Sequence, residues 1–272
     1  MIHPLRLSRS TLRSLLGLLL VSSTLLVSAT AIAEVVTRPV EYRQGDAVLE
    51  GFLAYDTAGP QKKPGVLIVH EWTGLGPYVK KRAELLARLG YVAFAADIYG
   101  KGVRPGNPKE AGATAAIYKQ DRALLRERVK AGLNELHRQE RTDPNRLAAI
   151  GYCFGGTTVL ELARAGSDVK GVVSFHGGLD TPTPLDAKGI RTKVLVLHGA
   201  DDPFVPPEQV KAFEDEMRGG NVDWQLVKYA KAVHSFTNPD AGNDNSKGAA
   251  YNAAADRRSW EAMKVFFAEI FQ

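Results

Sequence analysis

Across 272 residues the chain is 44% hydrophobic and 24% charged, a balance that excludes a disordered or fibrous protein. Its formal charge is +5, but three arginines and no acidic residue fall before position 34; without them the charge is +2, too small for a nucleic-acid footprint. A single cysteine, Cys153, excludes an internal disulfide framework. In chain order, Arg6, Arg9 and Arg13 precede the apolar run LLGLLLVSSTLLV, and SATAIAE follows with Ala31 and Ala33 in an A-x-A pattern. A basic start, a short apolar stretch and small residues at a cut site predict a secretory signal peptide over 1–33. The stretch is shorter than the ~20 residues of a spanning helix. The expectation is a periplasmic or secreted protein with no stable membrane insertion after cleavage, its mature part a single domain over 34–272.

TRPVEYR and AVLEGFLAY alternate apolar and polar residues around Gly45-Asp46, which predicts two strands and a turn. GVLIVHE, at 65–71, is a continuous apolar run, as expected of a strand buried on both faces. YVKKRAELLARLG is an amphipathic helix ending at Gly90, and YVAFAADIY is the next buried strand. A Gly/Pro-rich loop then leads to one long helix over about 113–140, broken by Asp143-Pro144. RLAAIGY, VKGVVSFHG, KVLVLHG and DWQLVKYA read as further strands. GTTVLELARAG, PEQVKAFEDEMRGG and DRRSWEAMKVFFAEIF read as helices. Apolar strands alternating with amphipathic helices predict a mostly parallel sheet of about eight strands, with helices on both faces. Ligands of such sheets bind at the carboxyl ends of the strands.

One such end carries GYCFGG, at 151–156. It places Cys153 on a strand-to-helix corner with Gly151 and Gly155 on either side, the G-x-nucleophile-x-G pattern. The corner exposes the side chain above the sheet and aims the N–H of Phe154 at a developing oxyanion. A thiol is mostly protonated at neutral pH and needs a base. In this arrangement the chain order is nucleophile, acid, histidine. HGADDPFVP supplies Asp201 and Asp202, and only His234 lies beyond them. The pattern G-x-x-D-x-x-V-P selects Asp202 as the acid, with Asp201 bracing the loop. His198 then reads as a structural strand-end residue, and His176 as one that packs or hydrogen-bonds. Glu71 falls just past a buried strand at the same rim as Cys153, where a carboxylate has little structural reason to sit.

VHEWTGL, DIYGKG, GYCFGG, HGADDPFVP and HSF occur in an order and spacing that resembles the dienelactone hydrolase family of the α/β-hydrolase fold, over about 40–270. The resemblance implies a triad of Cys153, His234 and Asp202. It implies that Glu71 contacts the resting cysteine and gates thiolate formation. It also implies a second oxyanion donor in the N–H of Trp72, whose ring would wall the pocket. Founding members bind a carboxylated lactone with two arginines, and the matching substrate-binding positions here are Lys101 and Asn238. Neither reproduces a bidentate arginine fork, so an anionic dienelactone is not the expected substrate. Arg104 is expected at the solvated surface.

Together these residues predict a monomeric hydrolase that cleaves a small-molecule ester or lactone through a thioester. No cofactor or metal is expected, since no H-E-x-x-H or similar ligand spacing occurs. The competing expectation, motivated by the substituted cation positions, is a non-catalytic periplasmic small-molecule-binding protein on the same fold. A redox role for Cys153 has no resolving cysteine in the chain.

Overall fold

The computed structural model describes residue 1 and residues 34–272, so the leader expectation lies outside the described residues. Strands β1 (Val35–Gln44) and β2 (Ala47–Asp56) form an antiparallel hairpin whose turn uses Gly45 at φ +56°, a conformation that glycine adopts without strain. The chain then alternates: β3 (Lys63–Val69), α1 (Pro77–Arg88), β4 (Val92–Ala96), α2 (Pro108–Gln120), α3 (Arg122–Arg138), β5 (Thr142–Tyr152), α4 (Phe154–Arg164) and β6 (Gly171–Phe175). It ends with β7 (Lys193–Gly199), α5 (Pro207–Gly219), β8 (Trp224–Tyr229) and α6 (Ala253–Ile270). All eight strands make one sheet, ordered β1-β2-β4-β3-β5-β6-β7-β8, parallel from β4 through β8 and antiparallel at β1–β2 and β2–β4. This is the α/β-hydrolase arrangement.

Alternate strand residues serve two cores. Leu67 and Val69 face one cluster, filled by Leu125, Val129 and Leu136 of α3, Leu162 of α4 and Phe213 of α5. Val66 and Ile68 face the other, with Val79 and Leu86 of α1 and Met263 and Phe267 of α6. Two layers of helix thus hide both faces of the sheet and leave its carboxyl ends as the open rim.

The expected single helix over 113–140 is two. Asn107 caps α2 by accepting from the Glu110 N–H at 3.0 Å, and Asp121 caps α3 by accepting from the Leu124 N–H at 2.9 Å. An aspartate that accepts from a new first turn ends one helix as it starts the next. Asp143-Pro144 lies within β5 rather than after the helix, where pairing jumps from Pro64↔Asp143 to Gly65↔Leu147. Proline cannot donate to a ladder, and the irregularity absorbs it.

Arg164, at the end of α4, is buried with both its charge partners. It donates to Glu216 on α5 at 2.8 and 2.7 Å, to Glu161 at 3.0 Å and to the Leu179 carbonyl at 3.0 Å. Arg164→Met is expected to strand the buried Glu216 carboxylate, while Glu161 keeps Arg126 at 2.8 Å, and to cost about 3–5 kcal/mol. Thermal unfolding should fall by roughly 6 °C or more; a shift below about 2 °C would contradict the assignment.

Candidate active site

Cys153 occupies the corner between β5 and α4, with φ 54° and ψ −115°. Such a conformation costs of order 1–3 kcal/mol in a non-glycine residue and persists only where the surroundings impose it. Here the flanking glycines do part of that work. A Cβ at Gly151 would strike the Gly155 carbonyl, and one at Gly155 would strike the Val69 carbonyl of β3. The elbow can be this sharp only because both positions lack side chains.

The loop after β8 brings His234 to the sulfur: Nε2 lies 3.1 Å from Cys153 Sγ. Its backbone is pinned from both sides, donating to the Gly248 carbonyl and accepting from the Ala250 N–H. On the far side, His234 Nδ1 lies 2.8 Å from Asp202 Oδ2. Asp202 follows β7 and is buried, and its other oxygen accepts from the Phe204 N–H at 2.9 Å. Asp201 points to solvent. The structure therefore brings Cys153, His234 and Asp202 into one line.

Burial alone would push the His234 pKa down, but the sulfur and the Asp202 carboxylate outweigh it and raise the value to about 10. A folded value above the ordinary 6.5 means that the imidazolium's stabilisation is complete below about pH 6.5 and is lost as pH rises toward 10. The sulfur and the Asp202 carboxylate thus favour the protonated form of the His234 ring.

The loop after β3 carries Glu71 and Trp72. Among the described residues neither the Trp72 N–H nor the Phe154 N–H donates to another backbone group. Tyr99 donates its hydroxyl to the Trp72 carbonyl at 2.9 Å, which fixes the orientation of that loop. His70 accepts from the Ile98 N–H at Nε2, so its proton sits on Nδ1, which donates to the Glu71 carbonyl at 2.6 Å. Burial lowers the His70 pKa to about 4, so it stays neutral in this role. Trp72 is 38% exposed and Phe204 58%; the Phe204 ring meets His234 edge-on at 5.4 Å. The Phe204 side chain therefore borders the site. His70, Tyr99 and Phe204 lie within VHEWTGL, DIYGKG and HGADDPFVP, but what each does rests on contacts made only in the fold.

Four residues have partners other than those expected. Glu71 accepts from Asn238 Nδ2 at 2.6 Å, while the sulfur's hydrogen-bond partner is His234. Asn238, expected to bind substrate, thus spends its amide on Glu71 and its oxygen on the Asp240 N–H. Lys101 turns away to the β1–β2 hairpin, where it pairs with Glu41 at 2.7 Å and Glu50 at 3.7 Å. Arg104 is no free surface cation: it donates to the Leu75 carbonyl at 3.0 Å and the Val103 carbonyl at 2.6 Å, bracing the loop that carries Trp72. Tyr251, between β8 and α6, donates its hydroxyl to Asp256 Oδ2 at 3.2 Å.

Burial is the main cause that holds the Glu71 carboxyl above its ordinary range, against the Asn238 hydrogen bond and the charges of His234 and Arg82. A raised acid costs the fold nothing below its unfolded value; the cost grows between that value and the folded one and is complete above it. Glu71→Gln keeps the acceptor for Asn238 and removes the buried charge. Its melting temperature should exceed that of the parent at pH 8, at about 2–4 °C per kcal/mol relieved, and match it near pH 4. An equal effect at both pH values would refute the assignment.

Comparison with known proteins follows the same lines. The model of the dienelactone hydrolase family matches residues 49–271. A crystal structure described as a dienelactone hydrolase-like promiscuous phosphotriesterase from metagenomic libraries is 42% identical, covers 88% of this chain and 99% of its own, and superposes with a TM-score of 0.83. A putative carboxymethylenebutenolidase of Aquifex aeolicus is 27% identical over 84% of this chain and 96% of its own length. A probable 2-oxo-3-(5-oxofuran-2-ylidene)propanoate lactonase of a Bradyrhizobium species is 26% identical over 64% of this chain and 73% of its own.

Proposed function

The chain belongs to the dienelactone hydrolase family and is an ester or lactone hydrolase, and from that premise we propose that it works through a Cys153–His234–Asp202 triad and a thioester intermediate. The observation that carries this is the 3.1 Å contact between His234 Nε2 and Cys153 Sγ, backed by Asp202 at 2.8 Å.

His234 takes the thiol proton, and the thiolate attacks the carbonyl carbon. The carbonyl π electrons move to oxygen, where the N–H groups of Phe154 and Trp72 hold the oxyanion; each such donor contributes about 3–4 kcal/mol to the transition state. Collapse expels the alcohol or enol oxygen, which takes the proton from His234. Water, deprotonated by His234, then attacks the thioester and releases the acid and the thiol. A thiolate is itself readily expelled from the tetrahedral intermediate, so poor leaving groups return to substrate. Activated substrates such as enol esters and enol lactones therefore turn over, and simple alkyl esters do so weakly.

The acyl portion of the substrate is uncharged. Lys101 is neutralised by Glu41, Asn238 is engaged with Glu71, and Arg104 is engaged with loop carbonyls. Phe204 and Trp72 favour an apolar or aromatic body. The mature enzyme is exported, acts as a monomer and needs no organic cofactor or metal.

The test is rapid quenching of the enzyme with an aryl or enol ester, followed by intact-mass and peptide analysis. An acyl adduct on Cys153 that forms and decays at the turnover rate is expected. Turnover with no adduct at any time would defeat the thioester route, and ligand-induced stabilisation without turnover would favour a binding protein. A panel that pairs a carboxylated lactone with its methyl ester, and includes a phosphate triester, reads the substrate class. Preference for the carboxylated member would overturn the uncharged assignment.

A further inference from the structure

Five non-glycine residues among the described residues have positive φ, and three of them, Cys153 (+54°), His176 (+40°) and Ser235 (+54°), gather at this site. His176 follows β6 and is fully buried. A bulky residue held there needs a reason. Its contacts supply one. The Cys153 N–H is shared between the Phe175 carbonyl at 3.0 Å and His176 Nδ1 at 3.1 Å. Since Nδ1 accepts, the ring proton is on Nε2, which donates to Thr237 Oγ1 at 2.7 Å. The Thr237 hydroxyl lies 2.6 Å from the Tyr78 hydroxyl. Arg82 then closes the chain, donating to Tyr78 at 3.1 Å, to the Thr237 carbonyl at 2.7 Å and to Asp256. This buried path runs from α1 and α6 to the amide of the nucleophile. The same ring packs edge-on against His234, with centroids 5.3 Å apart.

We propose that His176 is a positioning residue for the nucleophile: its neutral ring, fixed as the Nε2–H form by Thr237, locks the Cys153 amide and so the elbow that sets the sulfur–imidazole contact. This rests on the reading of Cys153 as the attacking group. The neutral form is required, because a charged ring would present a donor to the Cys153 N–H and repel the His234 imidazolium. Burial first, then the charges of His234 and Arg82, hold the His176 pKa well below the ordinary value, which supports that form.

A core-filling role for His176 makes the opposite forecast, so two variants separate them. His176→Phe keeps the bulk and removes the acceptor. His176→Asn keeps an acceptor near the Nδ1 position, loses bulk and tolerates positive φ. The readouts are the rate of Cys153 alkylation by iodoacetamide, and kcat and KM on an activated aryl ester. We expect the Phe variant to slow alkylation and lower kcat by at least about tenfold with KM nearly unchanged, and the Asn variant to stay within about fivefold of the parent on both. Parent-like rates in the Phe variant, or an Asn variant that falls as far as Phe, would overturn the proposal. Should the Phe variant not fold, Thr237→Val removes only the hydroxyl that fixes the ring; it should slow alkylation several-fold, and a parent-like rate there sinks the idea. Alkylation that responds as expected in a parent unable to turn over any ester would remove the hydrolase mechanism and leave this positioning role standing. An active parent whose alkylation ignores His176 removes the role alone.

Discussion

Cys153→Ala is expected to lower kcat on an activated ester by at least about 10³-fold, with the fold and substrate binding retained. In the proposed route the sulfur makes the bond that divides one difficult hydrolysis into two easier steps. Without it, the proposed oxyanion donors at Phe154 and Trp72 and the proposed base at His234 remain, but only a water molecule could attack. The variant should also be inert to iodoacetamide, since the chain has no other cysteine. Its melting temperature should change little, because Cys153 is only half-buried and its methylene packs much as an alanine methyl would. Cys153→Ser is the stricter comparison. It retains a nucleophilic atom at the elbow but replaces an acidic thiol with a far weaker acid, so it should also lose most turnover. Hydrolysis by Cys153→Ala within about tenfold of the parent would mean that the sulfur is not the nucleophile.

Whatever depends on neighbouring residues could be read from the sequence. The buried strands are continuous apolar runs, so β3, β4, β6 and β7 stand out between amphipathic helices. The elbow is six consecutive residues, and its strand, corner and helix all lie within reach of local reasoning. Chain order then selects His234, and the spacing after Gly199 selects Asp202. The helix boundary at Asp121 had a local signal too, an acidic cap before RALL, but the helical periodicity on either side masked it. Lys101 and Asn238 failed for a different reason. Their directions are set by partners far along the chain: Glu41 lies 60 residues from Lys101, and Glu71 lies 167 from Asn238. Gly100 and Gly102, with φ of +132° and +81°, flank Lys101, and its own N–H bonds to the Val48 carbonyl of β2. No local pattern reports such a turn. The chain from Arg82 to His176 is legible only once α1, β6 and the His234 loop are in place.

Asp202→Asn is expected to be nearly as damaging as loss of the sulfur, at about 10⁴-fold in kcat, and the reason lies in its two hydrogen bonds. Both carboxylate oxygens accept: one faces His234 Nδ1 at 2.8 Å, the other the Phe204 N–H at 2.9 Å. An asparagine has one acceptor and one donor to offer them. With its NH2 toward His234, it donates to Nδ1 and forces the ring proton onto Nε2, facing the sulfur, where it can no longer take the thiol proton. With its oxygen toward His234, its NH2 meets the Phe204 N–H, two donors without an acceptor in a buried place, and the loop must shift. Either orientation also removes a negative charge that helps hold the His234 pKa at about 10. Asp201→Asn provides the control, since that neighbour is exposed and bonds only through its backbone to the Ala232 carbonyl; it should retain kcat within about twofold. The two variants make the same atomic change at adjacent positions. A large loss confined to Asp202→Asn would tie activity to the form of the imidazole, and equal activity in both would detach Asp202 from the chemistry.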